Sequence, residues 1–403
     1  MIKHQEMKLN KKMNQLYFCK IIYIYLQFVI IQNYIKHLMD KMYKEKQNKN
    51  YQCETKLGKE QYKKLETIRN FVKGCDKFND DLEILNYISS GSCGIVYEGK
   101  IRRSPNKKVA LKFILNKIIE NKNEKIRNNE KEKEKVHNRI KKEITLQNKL
   151  KHKNITTLYG VYEIKNDTCI VMELAKYGDL DYFQKKLIQK KNLSETLLAY
   201  ITKQILNGLY YCHQSKIIHM DIKHQNILID ENLQIKLADL SVSYSYLNIP
   251  NGTLVTLPLA GTSLFMSPEV LGKKEIVIED CNKIDMYSLG SLLYNLAFCE
   301  YPYGLDYSDK KNFDKIKEKI AKNDLTIPLN KRYSSLFRSF ISRLLNKNIK
   351  MRLSIEEAMN HQWIKGAGLI FGEKEKIFDL EKFLINLVTD TIKPFNEFIH
   401  NNC

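Results

Sequence analysis

The segment Ile218-His219-Met220-Asp221-Ile222-Lys223-His224-Gln225-Asn226, followed eleven residues later by Leu237-Ala238-Asp239, carries most of the information about the fold. Four of its side chains are suited to phosphate chemistry: Asp221, Lys223, Asn226 and Asp239. Carboxylate and amide oxygens bind hard divalent cations, and an ammonium group neutralises phosphate charge. The pattern predicts a candidate base, a phosphate-facing cation and two metal ligands on two short loops.

Short β-rich runs flank both loops: Ile217–Ile218, Ile227–Ile229 and Ile235–Leu237. Loops held between small strands are a common way to present reactive groups from a rigid scaffold. We therefore expect the four side chains to project from a well-supported part of the fold.

Length and composition are those of a globular protein: 403 residues, of which 43% are hydrophobic and 28% charged. A net charge of +21 raises the question of a nucleic-acid or membrane partner. Residues 1–81 hold 17 basic and 9 acidic side chains, a net of +8, so +13 is spread over the rest of the chain. Because no basic stripe interleaved with aromatic residues is present, we expect a lysine-rich surface and no nucleic-acid partner.

The nine cysteines include no C-x-x-C pair and are irregularly spaced. Neither a disulfide framework nor a zinc site is indicated, and a reducing compartment fits best. We expect the protein in the cytoplasm.

An apolar segment, Leu16–Ile31, follows a lysine-rich start. Its 16 residues include Lys20 and Gln27, whereas a membrane-spanning helix needs about 20 residues with few charges. Three alternatives stay open: an interfacial or partner-docking helix, an extension that does not fold with the rest, and a membrane span. Membrane association through residues 16–31 is thus an open expectation.

Changes in composition and hydrophobic pattern along the chain predict three parts. These are an N-terminal extension with a basic linker over 1–81, a domain over 82–364, and a C-terminal tail over 365–403. Residues 40–80 predict a linker or a peripheral helix. From Leu82 to Ile114 the alternation predicts an antiparallel meander, and helical patterns dominate after Gly178. A smaller β-rich lobe over about 82–172 and a larger helical lobe over about 176–364 follow. Apolar residues near helical spacing predict a further helix over Lys376–Ile399.

Two predicted strands, Ile84–Ile88 and Ile95–Ile101, enclose the loop Ser89-Ser90-Gly91-Ser92-Cys93-Gly94. Glycine allows the backbone to approach a phosphate closely and to point its N–H groups at the oxygens. The alternative is a plain hairpin turn, because Gly-Ser turns are common in hairpins.

Further segments complete an ordered set: Val109-Ala110-Leu111-Lys112, Glu143-Ile144, Ile170-Val171-Met172-Glu173-Leu174-Ala175, Gly261-Thr262-Ser263-Leu264-Phe265-Met266-Ser267-Pro268-Glu269 and Asp285-Met286-Tyr287-Ser288-Leu289-Gly290. Their order and spacing resemble those of the eukaryotic protein kinase superfamily, serine/threonine type. The amino-acid sequence around Gln225 is most similar to that of calcium/calmodulin-dependent and autophagy-initiating kinases. The resemblance implies an α+β, bilobal fold with a small antiparallel β-sheet N-lobe carrying one helix and a larger, mainly helical C-lobe.

The resemblance also implies an ATP site between the lobes, lined by Ser90, Gly91, Gly94, Val96, Ala110, Lys112, Glu143, Met172, Glu173, Ala175, Asp179 and Leu228. Lys112 would pair with nucleotide phosphates and with Glu143, although Glu143 could be one more carboxylate of a charged helix. The backbones of Glu173 and Ala175 would bind the base edge, and Asp179 would reach the ribose.

For phosphoryl transfer, the resemblance implies that Asp221 accepts the proton of a substrate hydroxyl and that Lys223 neutralises charge on the transferred group. Asn226 and Asp239 would hold Mg²⁺. The expected activity is transfer of the γ-phosphate of Mg-ATP to a serine or threonine hydroxyl of a protein. In the same way, Glu269 would form a buried structural ion pair with Arg352, and Asp285 would brace the catalytic loop.

Three substitutions depart from the family pattern. Met220 stands where an arginine usually pairs with a phosphorylated activation loop, so we expect activity that does not depend on such a phosphate. Ser241 replaces a glycine after Asp239, which restricts the backbone there. Gln147 replaces an apolar residue that links the helix to the strand core, which would loosen the active arrangement unless a one-residue shift placed Leu146 there.

Ser89 also departs from the family pattern, because it replaces the first glycine of the loop. Given Ser89, Ser241 and Gln147, a nucleotide-binding pseudokinase that acts as a scaffold remains the alternative to an active enzyme. The presence of Lys112, Glu143, Asp221, Asn226 and Asp239 favours the enzyme. The sequence does not define the protein substrate or the oligomeric state.

Overall fold

A computed structural model describes residues 40, 56–90, 94–115, 130–165, 167–186, 193, 195–329 and 333–366. Nearly all of them belong to one unit, Lys46–Lys365. Three predictions lie outside the described residues: the apolar segment Leu16–Ile31, the loop residue Gly91, and the helix over Lys376–Ile399.

The N-lobe is built on a five-stranded sheet in the order β1-β2-β3-β5-β4. Its strands are β1 (Leu82–Ser90), β2 (Ile95–Ile101), β3 (Ser104–Ile114), β4 (Leu158–Ile164) and β5 (Asp167–Glu173). All neighbouring strands are antiparallel, which confirms the antiparallel β-sheet expected for the N-lobe. Successive side chains of a strand point to opposite faces. On β3, therefore, Val109, Leu111 and Phe113 share one face, and Ala110 and Lys112 share the other.

Helix α3 (Glu130–Lys149) belongs to the N-lobe and carries Glu143 in its second half. Its first half consists mainly of lysine and glutamate, which have good helix propensity and form favourable pairs at i, i+4. Among the side chains of α3 whose burial the structure describes, the buried ones are Glu143, Leu146 and Gln147, in its last two turns. The helix therefore forms through local propensity at its start and through packing at its end.

Two helices precede the sheet: α1 (Lys56–Val72) and α2 (Asp76–Asp81). Of the two alternatives for residues 40–80, the helix is the one found over α1. Ile68, Val72 and Phe78 are buried in the same hydrophobic cluster as Val109, Leu111 and Phe113 of β3. We call the segment 56–81 the N-terminal cap, because it covers the face of the sheet opposite to the Lys112 side chain.

Aromatic and polar contacts hold the cap in place. The Phe78 ring lies 5.5 Å from that of Tyr162 and 5.9 Å from that of Phe113, centroid to centroid. The Tyr162 hydroxyl donates to the Asp81 carboxylate at 2.8 Å. The Arg69 guanidinium donates to the Ile84 carbonyl at 2.9 Å, which ties α1 directly to β1.

The C-lobe is mainly helical, as predicted. Its helices are α4 (Leu180–Lys186), α5 (Glu195–Gln214), α6 (Pro268–Leu271), α7 (Lys283–Phe298), α8 (Phe313–Lys322), α9 (Ser335–Leu344), α10 (Ile355–Asn360) and α11 (Gln362–Gly366). Helix α7 is buried along nearly its whole length and forms the centre of this lobe. Helix α8 was missed by sequence reasoning; it buries Ile316 and Ile320, four positions apart, beneath a lysine-rich surface.

Short strands frame the cleft between the lobes. β6 (Gly178–Asp179), β8 (Ile227–Ile229) and β9 (Ile235–Leu237) form a three-stranded sheet, and β7 (Ile217–Ile218) pairs with β10 (Tyr244–Ser245). The three short strands predicted around the catalytic loops are thereby confirmed.

The segment after Asp239 adds a pairing that the sequence did not indicate, between β11 (Leu254–Thr256) and β12 (Glu275–Val277). The Ile278 N–H extends this pairing by donating to the Thr253 carbonyl at 2.9 Å. Among the described residues, none of the helices combines the length and the apolar character required to cross a membrane.

Candidate active site

Asp221 lies at the centre of a closed set of hydrogen bonds. The Lys223 ammonium donates to Asp221 Oδ2 at 2.7 Å and to Thr262 Oγ1 at 2.9 Å. The Thr262 hydroxyl donates in turn to Asp221 Oδ1 at 2.7 Å. The two predicted catalytic residues are therefore brought together, and Thr262 joins them from the segment before Glu269.

Asn226 links this set to the strand that leads to Asp239, the predicted metal ligand. Its amide Nδ2 donates to the Asp221 backbone carbonyl at 2.8 Å and to Asp221 Oδ2 at 2.9 Å. The Asn226 carbonyl accepts from the Ala238 N–H at 2.9 Å. Asn226 and the strand that delivers Asp239 are thus held in register.

Asp285, the first buried carboxylate of α7, braces the catalytic loop from behind. It accepts hydrogen bonds from the backbone N–H groups of His219 at 2.9 Å and Met220 at 2.8 Å, and its Oδ2 lies 2.8 Å from Nε2 of His213. Met220 has a φ of 66°, in the left-handed region that non-glycine residues rarely adopt. The predicted bracing role of Asp285 is confirmed as a contact.

Gly261 allows the segment that contains Thr262 to approach the catalytic loop closely. Its φ is +101°, and a Cβ at this position would lie 2.3 Å from the Met220 carbonyl oxygen. A larger residue would push Thr262 away from Asp221.

Lys112 connects the N-lobe to Asp239. Its Nζ lies 2.5 Å from Glu143 Oε1, so the expected pair is present, and 3.4 Å from Asp239 Oδ1. Burial alone would raise the pKa of the Asp239 carboxyl, but the Lys112 ammonium and a hydrogen bond from Ser241 outweigh it and lower the pKa to about 2. Asp239 is therefore an anion at neutral pH.

Several residues expected to line the nucleotide site are β-sheet partners of one another on neighbouring strands. Val96 pairs with Lys112, Ala110 with Met172, and Asp179 with Leu228. Ser90 ends β1, where its hydroxyl accepts from the Tyr87 hydroxyl at 3.0 Å. Gly94 begins the return of the loop, and a Cβ there would lie 2.3 Å from the Phe113 carbonyl oxygen.

The hinge between the lobes carries contacts that the sequence did not indicate. The Glu173 N–H donates to the Thr157 carbonyl at 2.9 Å. The Glu173 carboxylate lies 2.6 Å from Nζ of the buried Lys236 and accepts from the Thr157 N–H at 3.1 Å. Ala175 follows this network, and its carbonyl accepts from the Gly178 N–H at 3.1 Å.

Asp179 also serves local structure, because its Oδ1 accepts from the Tyr182 N–H at 2.7 Å near the start of α4. The ribose role of Asp179 stays a prediction.

The donor set fits Mg²⁺. In the part of the chain that the structure describes, no group of three or more His, Cys, Asp or Glu side chains could hold a metal ion. Mg²⁺ is usually held by one or two carboxylates together with water and substrate phosphates, rather than by a protein cage. Ionised Asp239 and the nearby amide of Asn226 are such a set.

The predicted ion pair behind the active site is confirmed. Arg352 donates to Glu269 in a bidentate arrangement, with Nη1 2.5 Å from Oε1 and Nη2 3.0 Å from Oε2. Both side chains are buried. The pair fixes the end of the segment that contains Thr262 against the C-lobe core.

The family model for the protein kinase domain matches residues 82–364, which is more than half of the chain. The chain belongs to the protein kinase family. Fold, motif order and site geometry agree with this assignment. The contact of Glu143 with Lys112 shows that Glu143 is not merely one more carboxylate of a charged helix, whereas phosphate binding by the loop between β1 and β2 stays a prediction.

The kinase is similar to several curated serine/threonine kinases. It is 28% identical over 289 residues to "Serine/threonine-protein kinase PLK4" of Drosophila virilis, covering 72% of this chain and 33% of the relative. It is 33% identical over 246 residues to CBL-interacting serine/threonine-protein kinase 14 of Arabidopsis thaliana, covering 61% of this chain and 51% of the relative. With Death-associated protein kinase 2 of Mus musculus it shares 33% identity over 238 residues, 58% of this chain and 60% of the relative. The matches thus cover between about a third and three fifths of these relatives' lengths.

Proposed function

We propose that this kinase transfers the γ-phosphate of Mg-ATP to a serine or threonine hydroxyl of a protein substrate. The carrying observation is the position of Lys112 Nζ, 2.5 Å from Glu143 and 3.4 Å from Asp239. This contact assembles the cation for the nucleotide phosphates and the carboxylate for the metal in one arrangement, which supports catalysis rather than binding alone.

In the proposed mechanism, Asp221 orients the substrate hydroxyl and accepts its proton as the oxygen attacks the γ-phosphorus. The bond from the γ-phosphorus to the oxygen that bridges it to the β-phosphate breaks, and ADP leaves. Thr262 and Lys223 hold the two carboxylate oxygens of Asp221, so the base is oriented before the substrate arrives. Lys223 also supplies positive charge near the transferred group. The electrostatic contribution is large because these groups are fixed before charge develops.

Asn226 and Asp239 would hold the metal, and bound Mg²⁺ would neutralise charge on the nucleotide phosphates. Asp239 is suited to this role because its lowered pKa keeps it ionised. Lys112 balances the charge of Glu143 and Asp239 in the free protein, and it would turn to the phosphates when nucleotide binds.

The test is transfer of γ-labelled phosphate to a generic basic protein by the full chain and by Asp221→Asn and Asp239→Asn. We expect each substitution to remove about 2–4 kcal/mol of transition-state stabilisation, or roughly 30- to 1,000-fold in rate. Asp314→Asn is the matched control, because the Asp314 side chain is 94% exposed. Absence of transfer by the wild-type protein, with Mg-ATP binding retained, would support the scaffold instead.

We further propose that the kinase acts in the cytoplasm, on the basis of its irregular cysteine pattern. Fractionation of cells that produce the full chain and a variant lacking residues 1–40 tests this. Equal recovery of both in the soluble fraction supports the proposal, and membrane recovery of the full chain alone assigns an anchoring role to the removed segment.

A further inference from the structure

Gln147 lies on α3 one turn beyond Glu143 and is 4% exposed. The sequence suggested that a polar group here would loosen the active arrangement or be displaced by Leu146. Both Gln147 and Leu146 are buried, so no displacement is needed. The Gln147 amide Nε2 donates to the backbone carbonyl of Thr156, which gives the polar group a partner inside the lobe.

Thr156 in turn forms hydrogen bonds to β9, the strand that precedes the proposed metal ligand Asp239. Its N–H and its hydroxyl both donate to the Leu237 carbonyl, at 2.9 Å and 2.6 Å. Leu237 ends β9, two positions before Asp239. Its own N–H donates to the Asn154 carbonyl at 2.9 Å, so the junction is bonded in both directions.

From these contacts we propose that Gln147 is a positioning residue, which joins the helix carrying Glu143 to the strand delivering Asp239 through Thr156. It acts on the two carboxylates that contact Lys112 and touches neither nucleotide nor substrate. This inference rests on the proposed kinase activity for its functional consequence, but the connection itself belongs to the free protein.

The physical reason for the effect is the burial of the connection. If α3 rotated or moved outward, the Gln147 amide and the Thr156 carbonyl would lose their bond inside the protein, and unpaired buried polar groups are strongly unfavourable. An apolar side chain at position 147 would lose only non-directional contacts in the same motion. The amide therefore restricts α3 more closely to the arrangement in which Glu143 meets Lys112.

The test compares Gln147→Met, Thr156→Val and the double variant in the full chain. Methionine keeps the length of the side chain without a donor, and valine keeps the shape of threonine without its hydroxyl. Asn148→Met is the matched control, because residue 148 is the exposed neighbour on the same helix. We expect Gln147→Met to lower kcat about tenfold with little change in KM for the protein substrate, as for loss of one buried hydrogen bond.

Because both residues act in one connection, the double variant should be no more than about twofold slower than the slower single variant. Hydrogen exchange of the nucleotide-free protein should be faster over Glu143–Lys149 in Gln147→Met than in Asn148→Met. This second measurement does not require activity, so it separates failure of the connection from failure of the proposed function. Unchanged exchange in Gln147→Met, or fully additive rate losses in the double variant, would overturn the proposal.

Discussion

The backbone N–H of Met220 donates a 2.8 Å hydrogen bond to Oδ1 of Asp285, a carboxylate 65 positions further along the chain. Met220 is in the left-handed conformation and precedes the proposed base directly. Local backbone preference opposes this conformation at a non-glycine residue, so the surrounding contacts must maintain it. Asp285 is the buried anchor that does so.

Replacing Asp285 with Ala should lower the free energy of unfolding by about 3–5 kcal/mol, since it leaves His213 and two amides without their buried partner. Denaturant unfolding of this variant, with Asp314→Ala as exposed control, measures the effect.

The same variant should have a changed pH dependence. Burial raises the pKa of Asp285, but His213 and the His219 amide outweigh it and lower the pKa below 3.8. A lowered pKa stabilises the fold above the unfolded value of about 3.9, and this contribution is lost as the pH falls below it. A wild-type stability advantage that persisted unchanged at pH 2 would contradict this account.

Phosphorylation of the activation segment should be dispensable. Met220 offers no cation for a phosphate, and β11 is already held by β12 and by a 2.7 Å hydrogen bond from the Gly252 N–H to Glu279. Alanine at Ser245, Thr253 or Thr256 should change activity by no more than about threefold.

Three further hydroxyl residues of this part of the chain, Ser243, Thr262 and Ser263, hold contacts that their replacement would remove. Thr262→Ala should be slow because it removes the contact with Asp221, and Ser243→Ala loses a buried 3.0 Å bond to the His219 carbonyl. Ser263 donates to the Lys310 carbonyl at 2.6 Å. Phosphate mapping by mass spectrometry, paired with the rate assay, decides the matter. A phosphorylated residue other than Thr262 whose replacement abolishes activity would disprove the prediction.

The N-terminal cap should contribute to stability as part of the N-lobe. Phe78→Ala removes a ring that packs on Phe113 and Tyr162, and we expect a loss of about 3–5 kcal/mol in the free energy of unfolding. Glu66→Ala changes an exposed residue of α1 and should have little effect. Equal stability of the two variants would mean that the cap is not part of the cooperative unit.

The buried pair of Glu269 and Arg352 provides a double-mutant test. Arg352→Met should cost about 3–5 kcal/mol, because Glu269 is left charged and buried. Adding Glu269→Gln removes that uncompensated charge and should restore part of the stability. Thermal unfolding of the single and double variants measures this recovery, and a double variant less stable than Arg352→Met would argue against a charge effect.

Much of the catalytic region could be predicted because it is encoded locally. The strands around Asp221 and Asp239 are short β-branched runs, and their loops carry residue types that phosphate chemistry requires. The paired strands of the N-lobe follow from the alternation between Leu82 and Ile114 in the same way.

The missed features depend on partners far along the chain. Ile68 and Val72 occur in a lysine- and asparagine-rich segment, and only the β3 residues that they cover reveal their role. The charged first half of α3 has no apolar periodicity, so the sequence alone does not define where this helix begins. Gln147 was expected to loosen the active arrangement, because its acceptor, the backbone carbonyl of Thr156, has no signature in the sequence.

The family match begins at Leu82, whereas the N-terminal cap that packs on the same sheet begins at Lys56. A recombinant fragment that began at Leu82 would retain every residue of the proposed reaction. It would lack Ile68, Val72 and Phe78, and so would expose the apolar surface that these side chains share with Leu111 and Phe113. Such a fragment would tend to associate through this surface, and its low yield or low activity would be mistaken for a defect in catalysis. For this kinase, expression and screening are best designed around the cap rather than around the recognisable motifs.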